Sequence, residues 1–219
     1  PTDLPPAAPS GFAPVLRDPV ARRLLVIALL NAAPVAVSST LFLFYVESRL
    51  MAVGMEGPLL LLFFLSAALA APVWSKLAEH FGEKEVLGVA MAISILAFAF
   101  AAFLGEGDWL AFSVVCIATG AALGADLTIM PAMFAKRMGE ISPSASEGFG
   151  LWSFVSKFTL AFAAVTLLPV LGASGFTSGG DNPAQALTML TILYALVPCA
   201  LKLVALALLA ATPMSETQE

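Results

Sequence analysis

Two ionisable side chains stand where hydrocarbon is expected. Asp126 lies inside the run WLAFSVVCIATGAALGADLTIMPAMFA and Lys157 inside FGLWSFVSKFTLAFAAVTLLPVLGASGF, joined by the polar stretch KRMGEISPSASEG. A charge in a bilayer core costs on the order of 3 kcal/mol even on lenient insertion scales, so such residues face a bundle interior or a wet cavity and mark an ion or substrate path. Asp126 is nine residues from Ala135 and Lys157 nine from Gly148, on either side of the connecting loop. At about 1.5 Å per residue both lie roughly 14 Å deep. An acid and a base at one depth predict a pair near the midplane, with a purely structural salt bridge as the alternative. Ser153 precedes Lys157 by four residues and shares its helix face, which puts a hydroxyl beside the ammonium. Lys202 is also nine residues from the end of its run, at Ala211, but no polar group lies four residues from it. It therefore ranks below Lys157, and a merely structural contact is equally open.

The elements that must hold these charges are read from composition. Of 219 residues, 60% are hydrophobic and 11% charged, with a mean hydropathy of +0.95. A soluble domain carries about a quarter charged residues. The chain is read as an all-α membrane protein with six transmembrane helices. Strands are excluded, because barrel strands are about ten residues of alternating character and these runs are longer and continuously apolar. Net charge is −5, with acids scattered rather than gathered, so no nucleic-acid partner is indicated. Cys116 and Cys199 fall in apolar runs and read as buried thiols.

Residues 1–23, with six prolines in the first nineteen, read as an extended linker that predicts a preceding segment. Residues 24–211 hold the six spans, and 212–219 a polar tail. The first span runs from Leu24 to Val46, and its Asn31, Ser38 and Tyr45 recur every seven residues beside Pro34. That spacing keeps them near one helical face, toward a cavity or a neighbouring helix. The second span covers Pro58 to about Ser75, with the loop KLAEHFGEKE after it. The third, Val86 to Gly105, has Ser94 as its one polar side chain, and a helix apolar on every face suits the lipid-facing periphery. Gly120 and Gly124 form a GxxxG spacing that permits close helix approach. The sixth span is Ala186 to Ala211.

With the N-terminus cytoplasmic, seven basic residues (Arg17, Arg22, Arg23, Lys76, Lys84, Lys136 and Arg137) lie inside and Arg49 alone outside, as the positive-inside rule favours. Both termini are then cytoplasmic. Trp74, Trp109 and Trp152 sit toward span ends as interfacial anchors do. No enzyme is indicated: the one histidine, His80, lies in a loop, so a metal site or a Ser–His pair lacks its parts. No catalytic residue, metal or organic cofactor is expected.

The segment PVWSKLAEHFGEKEVL, from Pro72 to Leu87, resembles the cytoplasmic loop between the eighth and ninth helices of the glycoside–pentoside–hexuronide:cation symporters, the major-facilitator family that includes melibiose permease. GADLTIMPAMFAKRM and EGFGLWSFVSKFTLAFA are similar to that family's tenth and eleventh helices, and YALVPCALKLVALALLAATP to its last. The resemblance implies the C-terminal six-helix half of a major-facilitator fold. It further implies that Lys157 lies at the sugar and cation region, that Trp152, Ser153 and Ser156 border the sugar, and that Asn31, Ser38, Tyr45 and the Asp126 helix line the cavity. Lys76, Glu79 and Lys84 would belong to a cytoplasmic gate loop. One departure is the pair Lys136 and Arg137, where the family commonly carries acids.

The expected function is secondary active transport, a cation-coupled symport of a sugar or glycoside by alternating access. The expected partners are a sugar-like solute, H⁺ or Na⁺ as coupling cation, the lipid bilayer, and either an N-terminal six-helix half or a second copy of the chain. The expected location is the bacterial inner (plasma) membrane. A major-facilitator exporter, a lipid transporter and a non-transporting six-helix scaffold are the alternatives.

Overall fold

The first long helix begins where its sequence supplies a cap. Asp18 is extended (φ −77°, ψ 121°), its Oδ1 accepts the Ala21 N–H at 2.7 Å, and Pro19 fills the first helical position, where a missing N–H costs nothing. The computed structural model describes residues 13–141 and 145–212. Most of the proline-rich linker, the tail beyond 212 and loop residues 142–144 lie outside the described residues.

After a short α1 (Ala13–Arg17), α2 runs over Pro19–Phe44 and continues as a π-helical turn, Tyr45–Arg49. Next come α3 (Glu56–Phe81), α4 (Glu83–Ala101), α5 (Trp109–Ile141), α6 (Ala145–Ala173), and α7 (Ala184–Thr191), which passes through a second π-turn, Ile192–Leu196, into α8 (Val197–Ala210). Among the described residues there is no strand. Six stretches are long and apolar enough to cross a membrane, and the protein is an all-α integral membrane bundle.

Several boundaries move outward from the sequence reading. Lys76 to Phe81, expected as loop, is the last part of α3, and Gly82 alone separates α3 from α4. Gly82 has φ +95°, a conformation that side chains rarely adopt. Likewise α5 continues through Lys136 and Arg137 to Ile141. At 33 residues it is about 50 Å long, well beyond a bilayer core. Residues Ala13–Arg17, expected within an extended linker, are helical, and Val15 is buried.

Two buried clusters fill the bundle. At the end carrying Asp18 and Arg137, Leu24, Ile27, Met91, Met130 and Phe134 meet. Toward the opposite end, Tyr45, Phe112 and Tyr194 stack around Leu41, with Tyr45 and Tyr194 ring centroids 4.2 Å apart. The helices share this burial unequally: 11% of the apolar window of α3 and 22% of that of α6 is buried, against 44–50% in the other four. α4, expected at the lipid-facing periphery, instead packs against both α5 and α8. An apolar surface suits a neighbouring helix as well as it suits lipid, so uniform hydropathy does not distinguish the two.

Glycine draws α3 onto α5. A Cβ at Gly120 would stand 2.2 Å from the Phe63 carbonyl oxygen, and one at Gly124 2.6 Å from that of Ala67. The GxxxG spacing is thus used, with backbone against backbone.

Candidate functional site: a buried ion pair in an apolar cavity

α2 and α3 part to admit a cavity of ≈ 290 Å³, walled by Phe42, Phe63 and Phe98. Its polar groups come from four helices: Ser38 and Ser39 of α2, Ser94 of α4, Thr119 and Asp126 of α5, and Lys202 of α8. Pro34, also on the wall, lacks the N–H that a helix interior requires and so loosens α2 at this level. The exposed side chains of Leu43 and Phe64 line the mouth.

Asp126 is paired, but with Lys202 and not with Lys157. Lys202 Nζ donates to Asp126 Oδ2 at 2.6 Å, with side-chain exposures of 2% and 9%. The other carboxylate oxygen, Oδ1, is buried without a hydrogen-bond partner. An ion pair this dry survives only where geometry is tight, because removing two charges from water costs several kcal/mol each. An unmatched acceptor beside it is an unmet demand for a donor.

The expected pairing at equal depth fails because depth leaves direction around the helix axis open. α6 leans chiefly on α2 and meets α5 only slightly, and Lys157, Ser153 and Ser156 are all exposed on it. α8 packs on α2 and α4, and its direction is set by the π-turn before it. The Val197 N–H donates to the Ile192 carbonyl, one residue further back than in an α-helix. Pro198 next to it has no N–H to continue the ordinary pattern. One extra residue in a turn rotates the remainder of the helix by about 100°. Lys202, ranked second from the sequence, is the residue that reaches Asp126. Its partner lies on another helix, so a search four residues either side of it misses the pair.

The other candidates divide. Ser38 lines the cavity, although its hydroxyl donates to the Pro34 carbonyl at 2.8 Å. Asn31 is buried with Oδ1 unpartnered, outside the cavity wall. Tyr45 is fully buried, donating to the Ala101 carbonyl at 2.5 Å, and belongs to the aromatic cluster. The seven-residue stripe therefore does not share one environment. Trp152 packs against Phe134, ring centroids 5.0 Å apart, at the junction of α6 with α5. Trp74, read as an interfacial anchor, also donates its indole N–H to the Ala121 carbonyl of α5 at 2.7 Å.

The expected gate loop is not a loop. Lys76 and Glu79 are exposed on the last turns of α3, while Lys84 sits in the first turn of α4 and donates to the carbonyls of Ala210 (3.0 Å) and Thr212 (2.9 Å). It thereby caps the C-terminal end of α8, joined by Arg23 on the Ala211 carbonyl at 3.2 Å. His80 is exposed at the end of α3 beside Phe81. On the same end Arg137, where the resembled family commonly carries acids, bridges Asp18 at 2.5 Å and Glu140 at 2.6 Å. Its guanidinium, hydrogen-bonded to Asp18, holds that carboxyl below the ordinary carboxylate value.

Six apolar helices with a charged pair buried beside a cavity suit a membrane transporter bundle. The family whose description is "MFS/sugar transport protein" matches residues 5–216. The chain belongs to that family of the major facilitator superfamily. No curated protein matches it.

Proposed function

We propose that this chain is the C-terminal six-helix half of a cation-coupled transporter that moves a sugar or glycoside by alternating access, in the manner of the melibiose permease-like symporters. The observation that carries the reading is the Asp126–Lys202 pair, buried at the cavity between α2 and α3 on a wall otherwise without charge. A site whose charge balance changes when a cation or solute arrives can bias two arrangements of a bundle. The exposed face of α6, with Ser153, Ser156 and Lys157, then forms a second part of the solute path. A further six-helix unit, the other half of the same transporter or a second copy, covers that face. Both chain ends are assigned to the cytoplasmic side on the strength of the basic residues gathered at one end, and a bacterial inner membrane is the proposed location.

The test is accumulation of labelled glycosides in proteoliposomes under an imposed pH or Na⁺ gradient, with counterflow as the uncoupled control. Uptake driven by one gradient and abolished by Asp126→Asn is expected. Neither accumulation nor counterflow for any glycoside would overturn the reading. A second reading, transport of an amphiphile or lipid, is favoured by one observation: the cavity wall is mainly aromatic and aliphatic, and Leu43 and Phe64 stand exposed at its mouth. Counterflow of an amphiphile in place of a sugar would select it.

A further inference from the structure

The chemistry at the inner end of the cavity restricts what can enter with the cation. Asp126 and Lys202 together are neutral, and both are almost fully buried. A Na⁺ or a cationic solute arriving there would place two positive charges on one carboxylate in a medium that screens poorly. A neutral polyol meets four wall hydroxyls, of which Thr119 and Ser38 already donate to the Val115 carbonyl at 2.7 Å and to Pro34, leaving Ser39 and Ser94 to it, and it brings no charge to offset Lys202 when Asp126 takes up a proton. A carboxylate entering with one proton leaves the net charge at zero throughout.

We propose that the cavity takes a small carboxylate with an apolar body, together with one proton: the proton settles on Asp126 Oδ1 and the ligand's carboxylate replaces Asp126 at Lys202 Nζ. Oδ1 is the atom prepared for the proton, being buried and unpartnered, and Asp126 is the more exposed member of the pair. Lys202 keeps its charge and exchanges one anionic partner for another, so no buried ion is left alone. The ligand's body lies between the rings of Phe42, Phe63 and Phe98. From α2, α3 and α4, no titratable side chain stands on the cavity wall, so Lys202 of α8 is the charged group that faces Asp126 among the described residues. On release, Lys202 returns to Asp126 and the proton leaves with the ligand.

The inference keeps the coupled-transport reading, on which its physiological sense rests, but gives this cavity a carboxylate in place of a glycoside, and its measurement needs no transport. The purified full chain in detergent is titrated calorimetrically with phenylacetate, 2-phenylethanol and 2-phenylethylammonium, three head groups on one body. Buffers of different ionisation enthalpy report the protons exchanged. Expected is binding of phenylacetate with uptake of about one proton, tightening roughly tenfold per unit fall in pH while the site is deprotonated. Asp126→Asn should bind phenylacetate without proton uptake and without pH dependence. Adding Lys202→Met to that variant should weaken binding at least about tenfold, with helicity checked by circular dichroism. The double variant carries no unpaired buried charge, so its fold is not the weak point.

Tighter binding of the ammonium with proton release, equal binding of alcohol and acid, no binding of phenylacetate, or its loss in Asp126→Asn would each overturn the proposal. Failure of glycoside counterflow removes the glycoside reading and leaves a positive titration standing. Gradient-driven uptake without proton-linked carboxylate binding does the reverse.

Discussion

α6 and α8 each carry one lysine inside an apolar stretch, and the bundle treats them oppositely. α8 packs on both α2 and α4, so Lys202 is 1% exposed and bonded to Asp126. α6 rests chiefly on α2, and Lys157 is exposed together with Ser153 and Ser156. A long cationic side chain in a hydrophobic helix thus has two settings. Where neighbours close around it, an acid must be supplied from another helix. Where one side stays open, water or a further partner can satisfy it.

The largest effect should come from breaking the closed setting. Lys202→Ala leaves Asp126 buried and unpaired, at a cost of about 3–5 kcal/mol, whereas Lys157→Ala should stay within about 0.5 kcal/mol. Thermal unfolding of the purified protein in detergent compares them, and equal losses would end the distinction. Replacing both partners, Asp126→Leu with Lys202→Met, should recover most of the stability. The same contrast holds for glycine. Gly120→Val, forced against the Phe63 backbone, should cost about 1–3 kcal/mol or more. Gly150→Ala on α6, with open space around it, should gain up to about 1 kcal/mol from helix propensity.

Two smaller effects compare interior with rim. Tyr45→Phe removes one buried hydrogen bond, to Ala101, and should cost about 1 kcal/mol. At the rim, Asp18 titrates below its ordinary 3.8 because of the Arg137 bond. A carboxyl that takes its proton later in the fold than in the unfolded chain stabilises above the unfolded value. That support is lost as pH falls through the lowered one. Wild type should therefore lose more in Tm than Asp18→Asn between about pH 5 and pH 2, since asparagine caps α2 equally well. An identical acid response in the two proteins would show that the bridge contributes nothing.

Much of the architecture is legible in the chain itself. The six spans are runs of apolar residues whose length the bilayer sets, and Asp126 stands out because charge in hydrocarbon is costly. The Gly120–Gly124 spacing points to a close helix contact, though not to α3 as its partner. The helix ends are less legible, since Lys76 to Phe81 and Lys136 to Ile141 are polar enough to read as loop yet stay helical, the second even through Gly139. The stop between α3 and α4 is Gly82, with φ +95°.

Class, span number and the residues that carry a penalty for being where they are follow from composition and length alone. Which lysine meets Asp126 was decided by the tertiary structure. A π-turn ahead of Pro198 sets the rotation of α8, and packing on α2 and α4 closes it. Rotation about a helix axis leaves hydropathy and depth unchanged, so no count along the chain could have chosen between Lys157 and Lys202.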